Sequence, residues 1–417
     1  MKVLFLNSSD TIGGAARAAF RLHKGLRSIN VDARMFVQKK ESDEQSVEGP
    51  TPFLGNWIEE IKPHLDALPV CLYSRRNKML FSPAILPTRI NKQISSINPD
   101  IIHLNWICEG FVKIENLQEF KKPIVWTLHD SWAFTGGCHI PFDCTRYRDN
   151  CGACPVLGSS MAADISSWIW KRKHKSWSNL NLTVVAPSKW LARCAGSSSL
   201  FRNTRIEVIP NGLDTNSYRP EDPRLAREML GLPCDKKLIL FGAMKGDSDP
   251  NKGFQYLQKA LRILSDRKGP SAIEAVVFGA SQPENTPEVS MKIHYLGRLY
   301  DDVALRLAYS SADVMVVPSI QEAFGQTSTE AMSCGTPVVA FATSGLLDIV
   351  DHQVNGFLAK AFDAEDLARG ISWVLDHIDS LGLARCAREK VKNYYSIDKV
   401  SDIYKTLYND LSSRVRS

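Results

Sequence analysis

Glu322 and Glu330 are separated by Ala323-Phe324-Gly325-Gln326-Thr327-Ser328-Thr329. Two carboxylates set around a glycine and hydroxyl turn suit a grip on an extended ligand. Before them, Asp313-Val314-Met315-Val316-Val317 is a short apolar run that predicts a buried strand, and Thr327 to Ser333 predict a helix that begins near Gly325. The N–H groups of Gly325, Gln326 and Thr327 would then open that helix, where backbone donors lack partners within the helix and attract phosphate. If the whole interval were helical, the two carboxylates would lie ~12 Å apart at ~1.5 Å rise per residue. That exceeds the ~5–9.5 Å of a glycoside hydrolase acid pair, so hydrolysis by two carboxylates is disfavoured. A pair of acids on a solvated helix face is the plain alternative.

The same span equals the reach from a sugar, across a diphosphate, to a ribose. Three further blocks occur in order around it: Pro210-Asn211-Gly212-Leu213-Asp214, Lys252-Gly253, and Cys334-Gly335-Thr336-Pro337-Val338-Val339. Together with the Glu-x7-Glu block they resemble the family 4 retaining glycosyltransferases, over residues 208 to 360. The resemblance implies an α/β chain of the GT-B fold, two facing Rossmann-like domains with a C-terminal helix crossing back to the N-terminal one. The boundaries expected from it are 1–215 for an acceptor-side domain, 216–395 for a nucleotide-sugar domain and 396–417 for the returning helix. That helix also shows in the spacing of Ile397, Val400, Ile403, Tyr404, Leu407 and Leu411.

The resemblance assigns roles residue by residue. Glu322 would hold donor-sugar hydroxyls, Glu330 the ribose, and Phe324, Gly325, Gln326 and Thr327 the donor, with Lys252 supplying positive charge to the diphosphate. Transfer with retention and without a catalytic metal follows from the family as well. One position departs from it. Relatives place an arginine directly after the glycine that aligns with Gly242, where this chain has Ala243, leaving that phosphate cation absent or supplied by Lys245 or Arg298.

The N-terminal half reads independently as a parallel α/β domain, with strands at Lys2–Leu6, Ala33–Val37, Ile101–Leu104, Ile124–Leu128 and Leu182–Ala186. Functional positions in such a sheet lie just past the strands' carboxyl ends. This selects Gly14, in the turn Asp10 to Ala16 before a helical pattern at Ala18 to Leu26, then Asn105-Trp106 and His129-Asp130. The Gly13-Gly14 turn could admit phosphate or acceptor, but it is not Gly-x-Gly-x-x-Gly, so NAD is disfavoured. Asn105 and Trp106 suit an acceptor pocket, and a buried core tryptophan remains the other reading. In the family a histidine placed like His129 contacts the transferred sugar. Asp130 would either orient that imidazole or cap the following turn.

Cys138, Cys144, Cys151 and Cys154 cluster within an insertion at 136–160. Their spacing, with one Cys-x2-Cys pair, admits a structural zinc site or free thiols in a compact loop. Disulfides are not expected if the protein is cytosolic.

The net charge of +6 on 417 residues is mild. Val3 to Leu6 is too short for a signal peptide, and no run reaches the ~18 apolar residues of a membrane span, so the expectation is a cytoplasmic protein. Between Ile165 and Arg193 six basic residues, Lys171, Arg172, Lys173, Lys175, Lys189 and Arg193, interleave with Trp168, Trp170 and Trp177 and no acid. That suits a surface for anionic lipid, or a helix packing its tryptophans inward. The run His129 to Cys138 resembles that of enzymes building O-antigen, capsule or exopolysaccharide, which implies a saccharide acceptor, lipid-linked, on the inner leaflet. A sugar-nucleotide epimerase or hydrolase on the same fold is the second reading. A zinc-containing nucleic-acid-binding protein is the third, and it leaves Glu322 and Glu330 unexplained.

Overall fold

Residues 1–50, 55–88, 90–242, 249–268, 272–282 and 291–416 are described by a computed structural model. They form two compact units, Met1–Gly212 with Asp398–Ser417, and Leu213–Ile397.

The first unit holds seven strands: β1 (Lys2–Ser9), β2 (Asp32–Lys39), β3 (Val47–Glu48), β4 (Ile101–Leu104), β5 (Ile124–Thr127), β6 (Leu182–Ala186) and β7 (Arg205–Val208). They hydrogen-bond in the order β3-β2-β1-β4-β5-β6-β7, every pair parallel. The second unit holds β8 (Lys237–Gly242), β9 (Ile273–Phe278), β10 (Ile293–Tyr295), β11 (Val314–Val317), β12 (Val338–Phe341) and β13 (Gly356–Ala359). Their order is β10-β9-β8-β11-β12-β13, again all parallel. Parallel strands covered by helices on both faces carry continuous apolar runs. Accordingly, every residue of β4, β5, β9, β11 and β12 is buried.

Chain order reverses between β1 and β4 in one unit and between β8 and β11 in the other. At such a switch point neighbouring crossovers run to opposite sides, and the crevice beyond the strands' carboxyl ends receives ligand. The segments after β1, β4, β8 and β11 are therefore the ones that each fold exposes for chemistry.

The helix Ile397–Arg416 adds Val400, Tyr404, Leu407, Tyr408 and Leu411 to the core of the first unit, against Val3, Phe5, Ile101 and Val125. A polar chain runs through this apolar contact. Tyr408 Oη bonds His103 Nδ1 at 2.7 Å, His103 Nε2 bonds Thr127 Oγ1 at 2.7 Å, and Thr127 Oγ1 bonds Tyr404 Oη at 2.7 Å. Burial, with the charge of His129 adding, pulls the His103 pKa down to about 3. The imidazole is thus neutral, with both nitrogens bonded.

Several elements differ from the sequence reading. The segment Gln38 to Pro52 reads as a mobile loop, yet it contains the end of β2 and the short β3. It is fastened by the buried Asp10 carboxylate, which accepts from the N–H groups of Glu41 and Ser42. Edge strand β7 and β13 are further additions. The proline-containing stretch Ser281 to Glu288 also reads as a mobile loop, and of it residues 283–288 lie outside those described. Among the described residues no helix is long and apolar enough to cross a membrane.

Tyr408→Phe is expected to cost about 1–3 kcal/mol, because it leaves His103 Nδ1 buried without a partner. Urea unfolding followed by circular dichroism checks this, and an unchanged midpoint would show that the bond contributes nothing.

Candidate active site

In the second unit, β11 ends at Val317 and the chain turns through Pro318 to Gly325 before the helix Gln326–Ser333. Gly325 stands at φ 108° as its N-cap, in a region side chains avoid, and a Cβ there would press to 2.9 Å on Leu346. The loop is braced by the segment that follows β8. Asn251 bonds Gln321 in both directions, Oδ1 accepting from Gln321 N at 3.0 Å and Nδ2 donating to Gln321 O at 2.9 Å, while Asn251 O accepts from Ile320 N at 2.8 Å. Gly253, at φ 66°, lies so close to Pro318 that a Cβ would meet its carbonyl oxygen at 1.9 Å. Between these two contacts Lys252 Nζ reaches Glu322 Oε1 at 2.7 Å. Burial works against a charged Lys252, but the charge and hydrogen bond of Glu322, with Asp249 adding, outweigh it and raise the pKa above the ordinary lysine value. Glu322 is held at its backbone, N–H to Ser344 Oγ at 2.9 Å and C=O from Gly345 N at 2.9 Å.

Glu330 sits within the helix, 4 % exposed, and accepts from the fully buried Tyr309 Oη at 2.7 Å on Oε2. Burial, and then that carboxylate, push the Tyr309 pKa well above its usual value. The unit thus presents a paired cation and anion, a helix N-terminus, and a second carboxylate held by a tyrosine. Only the stretch from Gln326 onward is helical, so the ~12 Å helical spacing does not apply to the loop half of the interval.

In the first unit, Asn105 and Trp106 leave β4 while β1 holds them. Asn7 Oδ1 accepts from Trp106 N at 2.7 Å, and Trp106 O accepts from Ser8 N at 2.8 Å. His129 Nε2 donates to Asn105 Oδ1 at 3.0 Å; an amide oxygen only accepts, so the proton sits on Nε2 and Nδ1 carries a lone pair. Burial pulls the His129 pKa down to about 4 against a smaller opposing pull from Asp130. Asn105 is 3 % exposed, and its Nδ2 has no hydrogen-bond partner among the described residues. An orphaned buried donor beside a neutral histidine is unusual and marks a place where a hydroxyl oxygen would accept its hydrogen bond.

Asp130 does not orient His129. It caps the following turn, Oδ1 accepting from Trp132 N at 2.7 Å, and gathers the Trp106 indole N–H at 2.7 Å and His139 Nδ1 at 2.6 Å on Oδ2. Burial favours the neutral acid, but the charge and hydrogen bond of His139, with the N–H groups of Trp132 and Trp106, hold the pKa below the usual carboxylate value. His139 Nε2 in turn bonds Ser82 Oγ at 2.9 Å. Trp106 is therefore an oriented, partly exposed ring, not a core tryptophan.

Other expected residues fall differently. Phe324 is buried in the core, edge-on to Tyr395 at 5.5 Å, so its side chain anchors the loop and is not placed to touch a ligand. Gly14 opens the helix Gly14–Ser28 after Gly13 at φ 90°. Arg298 is exposed, its guanidinium over the Tyr300 ring. Ala243 and Lys245 lie outside the described residues. Burial pushes the thiols of Cys138 and Cys154 up and that of Cys151 up to about 12, and Cys151 Sγ accepts from Gly136 N at 3.2 Å. Among the described residues no three His, Cys, Asp or Glu side chains are arranged to hold a metal ion. The basic segment is also divided. Trp177 is buried and Trp168 exposed, while Lys173 is fully buried, donating to the carbonyls of Trp132 and Thr135 beneath the turn that follows His129.

Two parallel Rossmann-like units with polar residues gathered at their strand ends are the architecture of GT-B glycosyltransferases. Residues 12–217 match the profile of Glycosyltransferase Family 4 and residues 235–377 that of Glycosyl transferases group 1. The chain belongs to this glycosyltransferase family. A sucrose-phosphate synthase from Thermosynechococcus elongatus aligns with a TM-score of 0.71 at 19% identity, covering 99% of this chain and 100% of that one. HepE of Anabaena, solved in complex with UDP-glucose, aligns with a TM-score of 0.64 at 20% identity, over 98% of this chain and 100% of that one. A D-inositol 3-phosphate glycosyltransferase of Xylanimonas cellulosilytica is 39% identical over 176 residues, 38% of this chain and 40% of that protein. The curated inositol-phosphate relatives are matched over only 36% to 50% of their length.

The depressed histidines set a pH dependence. His23, His103 and His129 have folded pKa values of about 4, 3 and 4 against an ordinary 6.5. Below 6.5 the unfolded chain binds protons that the native chain refuses, so their stabilisation is complete above that pH and is lost as pH falls toward about 4. The thermal midpoint is expected to be level above pH 7 and to decline below pH 6, with a shallower decline in His129→Gln. A midpoint constant from pH 7 to pH 5 would contradict this.

Proposed function

We propose that the protein moves a sugar from a nucleoside diphosphate sugar to an acceptor hydroxyl, with retention of anomeric configuration and no catalytic metal. The observation that carries this reading is the Lys252–Glu322 pair beside the Gly325 helix N-terminus, with Glu330 beyond it. Lys252 and the N–H groups at the start of the helix suit a diphosphate, whose charge grows as the bond to the sugar breaks. Glu322 suits sugar hydroxyls and Glu330 the ribose. The HepE complex with UDP-glucose supports a nucleotide-sugar donor. The acceptor hydroxyl attacks the anomeric carbon on the face from which the phosphate leaves; the bond from that carbon to the phosphate oxygen breaks, and the acceptor proton passes to that oxygen. No side chain need become covalently attached. His129, neutral at working pH, positions and polarises the sugar, and the Asn105 amide and the Trp106 ring contribute to the acceptor pocket.

The acceptor is read as a saccharide carried on lipid, in O-antigen, capsule or exopolysaccharide synthesis at the cytoplasmic face of the membrane. The resemblance of His129 to Cys138 to enzymes of that kind supports it. An epimerase or hydrolase would consume the same donor and is separated by product analysis, since only a transferase yields an acceptor enlarged by one sugar.

Glu330→Ala is expected to weaken nucleotide binding, and Glu322→Ala to lower turnover more than binding; equal, negligible effects in both assays would remove the proposed polarity of the ligand. His129→Ala is expected to fold normally and to lower transfer by about tenfold or more, so wild-type turnover in that variant would make the histidine structural. In a thermal-shift panel of UDP, GDP, ADP and dTDP with their sugar conjugates, one nucleotide should raise the midpoint selectively and without regard to chelator. Loss of the shift on adding chelator would overturn the metal-free reading.

A further inference from the structure

Ile61, Leu65, Leu68 and Leu72 recur at intervals of four, three and four along the helix Gly55–Ala67 and its continuation as a tighter turn, Leu68–Leu72. Their spacing puts them on one side, and all four are exposed, from 44% at Leu65 to 85% at Leu72. The opposite side is fastened. Asp66, 2% exposed, accepts from Ala84 N at 3.0 Å and Ile85 N at 2.8 Å, and Val70 is 1% exposed. This orientation is fixed by the inner contacts, so the outward apolar strip is not the result of a loosely held helix. Single exposed leucines are ordinary on a protein surface, whereas four in register form a patch that marks an interaction site.

The charge around the strip selects the partner. Arg75, Arg76 and Lys78 follow it directly and are exposed, and none is paired with an acid among the described residues. From Leu65 to Leu80 the one acid is Asp66, which is buried. Acids occur only at the other end, where Glu59 pairs with Lys62 and Glu60 is exposed. The strip adjoins an exposed aromatic. Tyr73 Oη accepts from Ile165 N at 3.0 Å, at the start of the helix Ile165–Trp177. That helix carries Trp168, 49% exposed, with the Arg172 guanidinium over its ring at 4.6 Å.

We infer that this face, Ile61 to Lys78, docks the first unit onto an anionic lipid surface. An apolar strip roughly 19 Å long at 1.5–2.0 Å rise per residue can enter the headgroup layer but is too short to span a bilayer. The adjoining cations, which pair with no carboxylate among the described residues, meet acidic headgroups. The inference deepens the lipid-linked acceptor reading and rests on it in one respect, that such an acceptor lies at this surface. It also moves the membrane face off the basic stretch Lys171 to Arg193, where Lys173 and Trp177 are buried, and keeps only Trp168 at its margin.

The test is co-flotation of the full chain with phosphatidylcholine vesicles, with and without about 30% phosphatidylglycerol, at low and high salt. Binding to the anionic vesicles should exceed binding to neutral ones by about tenfold or more and fall with salt. Leu68→Glu with Leu72→Glu, and separately Arg75→Glu with Arg76→Glu, should each reduce it about tenfold, while thermal midpoint and nucleotide-induced shift stay at wild-type values. Lys171→Glu with Lys175→Glu should leave it unchanged. Equal binding to both vesicles, or unchanged binding in the strip variants, overturns the proposal. So does self-association abolished by Leu72→Glu in a chain that ignores vesicles, which would make the partner a second copy. Absence of vesicle binding with a selective nucleotide shift would remove this surface and leave the transferase reading intact; vesicle binding with no nucleotide shift would do the reverse.

Discussion

A parallel sheet covered on both faces has no side on which to do chemistry, and this constraint organises both units. Every residue of β4, β5, β11 and β12 is buried, so polar function is confined to the loops where strands end. Because both sheets reverse order beside their first strand, each unit opens at an equivalent place. Asn105 and Trp106 leave β4 there, and the Glu322 loop leaves β11. The apolar runs that build the sheets thus also determine where the ligand groups emerge.

Much of this was legible because the signals were local. The run Val314 to Val317 followed by glycine and hydroxyls marks strand, loop and helix within a few residues, and the helix starts where Gly325 supplies a conformation that other residues avoid. Lys252-Gly253 was visible as a motif, but its physics and the part of Asn251 were not. Asn251 braces Gln321, and Gly253 clears the Pro318 carbonyl, across about seventy residues of chain. Edge strand β7, Arg205-Ile206-Glu207-Val208, mixes charges with apolar residues and hides from hydropathy. Phe324 lies inside the motif and so suggests a ligand contact, although its ring turns into the core. Tyr309 and His139 carry no short signature, since their meaning comes from Glu330 and Asp130, and only folding brings those together.

Buried polar groups do much of the positioning. An unsatisfied one is costly and a satisfied one specifies a single arrangement. The chain from Tyr408 through His103 and Thr127 to Tyr404 holds the last helix against β4 and β5, the strands that deliver Asn105 and His129. Lys173, with its pKa pulled down to about 7 mainly by burial, similarly secures the turn after His129 through two carbonyls. Asn105 Nδ2 breaks the pattern, and a donor left over inside an otherwise satisfied network stands out more sharply for that reason.

The Lys252–Glu322 contact has a consequence for the end of a catalytic cycle. A cation that already has a partner within the protein does not wait as a bare charge, so in the proposed transfer a diphosphate would hold Lys252 only in competition with Glu322. On that reading, once the sugar had left and Glu322 no longer had hydroxyls to hold, the carboxylate would reclaim the ammonium. The spent nucleotide would then lose a counterion to its neighbour in the site, and its departure would be assisted by the same pair that helped to receive the donor.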